Sequence, residues 1–126
     1  MSSLSLEGVR VLELARYQAG PRGGMILSDL GAEVIKIERL GGEETRGNPP
    51  MVRGQSVYFT VYNRGKKSIC LDMRSEQGKA IFTQLVNTDD IVLENSLPGT
   101  MATTGFGYAT ANSQHPRTIL GSVLGP

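Results

Sequence analysis

Residues 8–39 read GVRVLELARYQAGPRGGMILSDLGAEVIKIER, and this stretch decides the fold. Val9, Val11, Leu12 and Leu14 make a short β-rich run, the pattern of a buried strand. A polar turn follows, from Ala15 to Gly20. Pro21 suits the first position of a helix, where its missing N–H has no intrahelical partner to lose. Met25, Ile26, Leu27 and Leu30 give that helix one apolar face, and Gly31 falls where a glycine closes a helix C-terminus. A second apolar run, Val34-Ile35-Lys36-Ile37, completes a strand–helix–strand unit. Such units are almost always right-handed with parallel strands. The first turn lies at a strand's carboxyl end and a helix's amino end, the usual place for an anionic ligand in an α/β protein.

The rest of the chain repeats the alternation. Ser68 to Asp72 reads as a third strand, Asp90 to Glu94 as a fourth and Thr118 to Val123 as a fifth. Ser75 can cap a helix whose buried face is Ala80, Ile81, Phe82, Leu85 and Val86. Ser56 to Asn63 favours a strand by propensity but does not alternate cleanly, and a short helix is expected there. Weak helical segments are expected near Thr100–Thr104 and Tyr108–Ser113. Arg39 to Gln55 reads as a long polar loop, and loops of that length inside compact domains are usually functional or disordered. The expected architecture is α/β: a mainly parallel five-stranded sheet flanked by helices, with strands near 9–14, 33–38, 67–72, 90–94 and 118–123.

Composition narrows the function classes. The 126 residues carry a net charge of only +1, which gives no support to general nucleic-acid binding. One cysteine excludes an intrachain disulfide, and no Cys/His cluster has metal spacing. The opening Met-Ser-Ser-Leu-Ser has no basic region, and no long apolar run follows. Neither a signal peptide nor a membrane span is expected, and the default location is the cytoplasm.

The standard nucleotide motifs are missing. There is no G-x-G-x-x-G after the first strand and no P-loop. Lys36, Arg39, Arg46, Arg53, Arg64, Lys66, Lys67 and Arg74 supply cations near strand ends or in the loops that follow. Charge pattern alone favours a solvated basic surface over an anion site. Arg39 and Arg74, each just past a strand, are the better candidates for phosphate or purine contacts. Gln18 and Ala19 share the first turn, and Asn95 ends the fourth strand. Gly23-Gly24 inside a helix implies tight packing on the sheet or a ligand close to the backbone. Cys70, between Ile69 and Leu71, reads as a core thiol. His115 reads as a loop histidine, and the adjacent pair Glu43-Glu44 as loop or cap residues.

These motifs, taken in order, resemble one family. Leu6 to Arg16, Ala19-Gly20-Pro21 and Leu27 to Arg39 resemble the opening of the class III CoA-transferases (CaiB/BaiF). Thr45-Arg46-Gly47, Tyr58 to Met73, Asp90 to Gly99 and His115 to Val123 continue the match over essentially the whole chain. The Gln18-Ala19 turn and the Tyr58 to Met73 stretch look most like the formyl-CoA:oxalate branch. The resemblance implies that residues 1–126 are an N-terminal, Rossmann-like, CoA-binding half-domain of a longer chain, truncated before the catalytic region. It implies coenzyme A as a substrate rather than a permanently bound cofactor, held by Gln18, Ala19, Arg39, Leu71, Arg74 and Asn95. It implies transfer of CoA between an acyl-CoA and a small carboxylic acid through an aspartyl intermediate, in an interlocked homodimer. The catalytic aspartate is expected outside these residues, so the chain alone is expected to be inactive. An α-methylacyl-CoA racemase of the same family, or a non-catalytic CoA- or nucleotide-binding module, are the alternatives. Two positions depart from the family pattern: Ser96 stands where a phenylalanine is usual, and Thr103 where an arginine commonly meets the nucleotide.

Overall fold

The computed structural model describes residues 3–124. The strands are β1 (Arg10–Glu13), β2 (Glu33–Glu38), β3 (Met51–Val52), β4 (Gln55–Ser56), β5 (Lys67–Cys70), β6 (Ile91–Glu94) and β7 (Ile119–Ser122). Five of them form one sheet in the order β5-β2-β1-β6-β7. All four pairings are parallel, with Leu12 opposite both Ile35 and Val92. The α/β reading of the sequence therefore holds, with strand ends shifted by a residue or two. From β1 the chain builds outward through β2 to β5, then returns to the other side of β1 for β6 and β7. The reversal leaves a crevice at the carboxyl ends of the central strands, where ligands bind in open α/β sheets.

Alternation along the strands sends successive side chains to opposite faces. Leu12, Ile37 and Val92 pack with Phe82, Val86, Met101 and Phe106. The last four come from α3 (Glu76–Val86), α4 (Thr100–Thr103) and the segment before α5 (Tyr108–Gln114). Phe82 and Phe106 meet edge to face at 5.5 Å, a geometry that ring quadrupoles favour. Val11, Val34 and Leu93 form the second core with Leu6, Val9 and Leu27, under α1 (Ala19–Asp29). Gly31 closes α1 with φ +106. Its N–H donates to Ser28 O and the N–H of Ala32 to Leu27 O, the paired bonds of a Schellman motif.

The structure departs from the sequence reading at several places. Helix α1 starts at Ala19, so Pro21 is its third residue, and it buries Gly20, Pro21 and Gly24 rather than a broad apolar stripe. Ile26 and Leu30 are substantially exposed. Gly24 is needed because a Cβ there would run into the Glu13 carboxylate. The long loop is ordered: a 3-10 helix spans Glu44–Gly47, and β3 and β4 form a small hairpin. The Arg53-Gly54 turn has positive φ at both residues, as a two-residue hairpin of primed type requires. Helix α2 (Val57–Asn63) follows, and Ser56 Oγ accepts the N–H of Phe59 at 3.1 Å to cap it. Cys70 is exposed rather than a core thiol, because β5 is an edge strand whose four residues are all exposed. Among the described residues no helix is long and apolar enough to cross a membrane, and no group of His, Cys, Asp and Glu could hold a metal ion.

Candidate functional site

A cleft of about 440 Å³ opens at the carboxyl ends of β1, β2 and β5. Its floor is apolar, with Leu14, Ile37, Leu71 and Met101. Arg16, Arg39 and Arg74 line its rim, and their side chains are 53%, 62% and 96% exposed. Each arginine is the product of a strand end. Arg16 follows β1, Arg39 follows β2 directly, and Arg74 sits in the turn from β5 into α3. That turn is tight: the N–H of Arg74 donates to Asp72 Oδ1, and Ser75 Oγ accepts the N–H of Gly78 to cap α3. Arg39 Nε donates to Gly42 O at 3.0 Å.

Behind the rim lies a buried ion network. Lys36 Nζ sits 2.6 Å from Glu43 Oε2 and 3.3 Å from Glu13 Oε2, and donates to Ala15 O at 2.9 Å. Lys66 Nζ donates to both oxygens of Glu13 and to Pro21 O at 2.8 Å, and to Asn63 Oδ1 at 3.0 Å. Burial pushes the Glu13 carboxyl up, and the two lysines oppose it. Burial pushes the Lys66 ammonium down, and Glu13 opposes that. Glu43 Oε1 accepts from the Tyr17 N–H and from Thr45 Oγ1, both at 2.7 Å. Tyr17 holds a left-handed backbone, φ +66, an uncommon conformation for a bulky residue. Glu38 accepts from the Glu43 N–H and from the Arg46 and Ser68 side chains. Burial acts to raise the Glu38 carboxyl, but those hydrogen bonds bring it down to about 2. Three carboxylates and three cations balance, so buried charge is compensated in place.

The residues expected to bind divide into two sets. Arg39, Leu71 and Arg74 come together on the cleft. Asn95 does not face it. Its Oδ1 accepts the Arg16 N–H at 2.8 Å, its Nδ2 donates to Arg16 O at 2.7 Å, and it lines an adjoining depression. Gln18 and Ala19, both exposed at the start of α1, do not line the cleft. Sequence reasoning missed Arg16, although its position just past β1 is the signal that singled out Arg39. It also placed Lys36 and Lys66 on a basic surface, and Glu43 in a loop. The side chains of all three are buried: both lysines meet Glu13, 23 and 53 residues away, while Glu43, which does lie in the loop ahead of the 3-10 helix, pairs with Lys36.

Comparison with known proteins follows the same outline. Residues 6–125 match the model of CoA-transferase family III. The chain is 44% identical over 122 residues to mouse succinyl-CoA:glutarate CoA-transferase, covering 95% of this chain and 28% of that protein. It is 38% identical over 126 residues to formyl-CoA:oxalate CoA-transferase of Streptomyces coelicolor, covering 99% of this chain and 31% of that one. The crystal structure of a CaiB/BaiF family protein from Brucella suis superposes with a TM-score of 0.89 at 40% identity, covering 96% of this chain and 33% of that chain. The chain thus spans about a third of the length of these proteins.

Proposed function

The chain belongs to CoA-transferase family III, and on that premise we propose that residues 1–126 are the CoA-binding N-terminal half-domain of such a transferase. The observation that carries the proposal is the cleft. Three exposed arginines surround an apolar floor at the carboxyl edge of a parallel sheet. CoA has matching parts, a phosphate-rich nucleotide end and a less polar pantetheine arm. In this reading Arg39 and Arg74 take the nucleotide end by charge-assisted hydrogen bonds, and Leu71 packs against the ligand. Gln18, Ala19 and Asn95 shape the neighbouring turn, Asn95 by fixing the backbone of Arg16.

The reaction proposed is transfer of CoA from an acyl-CoA to a small carboxylic acid. A nucleophilic carboxylate displaces CoA thiolate from the donor and forms a mixed anhydride. The thiolate attacks the enzyme's acyl carbon, releasing the donor acid and leaving an enzyme thioester. The acceptor carboxylate attacks that thioester, expels the thiolate and forms a second anhydride. The thiolate then attacks the acceptor's acyl carbon, giving the new acyl-CoA and freeing the enzyme carboxylate. The nucleophile is none of the buried carboxylates described here. Glu13, Glu38 and Glu43 are committed to lysine or arginine partners. The acceptor is drawn from the class of oxalate and glutarate, acids in the names of similar proteins. A cytoplasmic, interlocked homodimer completes the proposal.

The test is calorimetric titration of CoA into the wild type, Arg39→Ala and Arg74→Ala. Loss of one charged hydrogen bond should cost about 1.5–3 kcal/mol of binding in each variant. Unchanged affinity in both removes them from the site.

A further inference from the structure

We infer that Arg16 is a further anion-binding arginine of the cleft, set beside Arg39 to receive a phosphate group of the ligand. The inference rests on the reading of the cleft as a CoA site. Arg16 Nη1 lies 3.4 Å from Glu44 Oε1, and Arg39 Nη1 lies 3.5 Å from the same oxygen. One carboxylate therefore holds two guanidinium groups side by side, and one positive charge is left over. Each fork keeps further N–H donors that Glu44 does not use. Closely spaced phosphate oxygens suit such a pair, because a planar guanidinium can bind two oxygens at once.

The backbone beneath Arg16 is fixed on both sides. The Asn95 amide takes both its N–H and its carbonyl. The next residue, Tyr17, is pinned by its N–H to buried Glu43. The side chain thus leaves a rigid turn, and it lines both the cleft and the adjoining depression. A simple surface ion pair with Glu44 is the competing role. Exposed pairs of that kind contribute little to stability, and they predict no effect on a ligand.

The experiment titrates the full chain with CoA, with phosphate-free pantetheine and with inorganic pyrophosphate, each at low and high salt. Arg16→Ala is expected to weaken CoA about tenfold and to flatten its salt dependence. Pantetheine affinity and melting temperature stay at the wild-type values, and Arg16→Lys recovers part of the loss. Wild-type CoA affinity and salt dependence in Arg16→Ala overturn the inference. So does an equal loss for pantetheine, which marks a structural role. If the wild type itself binds no CoA, the reading of the cleft as a CoA site falls, and pyrophosphate decides for Arg16. Weaker pyrophosphate binding in Arg16→Ala then supports an anion site; equal binding, or none in the wild type, overturns it.

Discussion

Lys36 and Arg74 both line the same cleft, yet one side chain is 1% exposed and the other 96%. Lys36 is locked between Glu13 and Glu43, while Arg74 has only a loose approach to Asp72 at 3.6 Å. The network around Lys36 holds charge that is already neutralised. The rim around Arg74 keeps charge that an incoming anion can still use. Burial, not charge, separates the two. A buried cation without its partner is costly, whereas an exposed one is solvated at little expense. On this division the network supports the fold and, in the function proposed above, the rim serves the ligand; substitutions should sort the two.

The sharpest separation comes from Lys36→Met. It leaves Glu13 and Glu43 facing each other without their shared cation. Breaking a buried pair on one side costs about 3–5 kcal/mol, so urea denaturation should show a loss of that size. A loss under about 1 kcal/mol would place Lys36 with the surface cations instead.

Acid titration probes the same network through Glu38. Its carboxyl lies at about 2 in the folded protein against 4.5 for the ordinary value. A depressed carboxyl stabilises the fold above its unfolded value, and the support disappears as pH falls. The window is therefore pH 4.5 down to about 2. The stability at stake is roughly 3 kcal/mol, since each tenfold difference in proton affinity between the folded and unfolded protein corresponds to about 1.4 kcal/mol. Glu38→Gln should already be less stable at neutral pH and should lose this part of the acid dependence. Parallel pH profiles for wild type and variant would assign the stabilisation elsewhere.

The smallest effect is expected on the other side of the comparison. Arg74→Ala should change unfolding free energy by less than about 0.5 kcal/mol, as surface substitutions usually do. A thermal melt that moves with Arg74 would give the rim a structural share and blur the division.

The sequence carried the sheet because the evidence for it is local. Val34-Ile35-Lys36-Ile37 and Ile91-Val92-Leu93 announce strands wherever they end up. Helix α2 was legible against β-propensity because its apolar run does not alternate cleanly; the Ser56 cap is seen only in the structure. Exposure was harder to read, because it depends on position in the sheet. Cys70 has apolar neighbours in sequence but lies on an edge strand. The face of α1 was misread because small residues, Gly20 and Gly24, do the packing there. Lys36, Lys66 and Glu43 were illegible as a group, since Glu13, which joins the two lysines, lies 23 residues from one and 53 from the other. At the cleft, Arg39, Leu71 and Arg74 were legible from strand ends and family motifs together. Arg16 is harder to see, because Gln18, Ala19 and Gly20 dominate its turn and hide the charge just past β1.

The Asn95–Arg16 clasp spans 79 residues of sequence. It closes only when β6 docks beside β1, after the chain has already gone out to β5 and back. Contacts of such separation carry a high loop-closure cost and form late in folding. The local unit of β1, α1 and β2 can assemble without it, but Arg16 has no fixed direction until the clasp shuts. A refolding chain can thus form β1, α1 and β2 before the clasp that fixes Arg16. If the cleft is a CoA site as proposed, its rim is complete only once β6 has docked beside β1. On the proposed function, Asn95→Ala should therefore weaken CoA binding in the refolded protein while the recovery of helical signal keeps its wild-type rate.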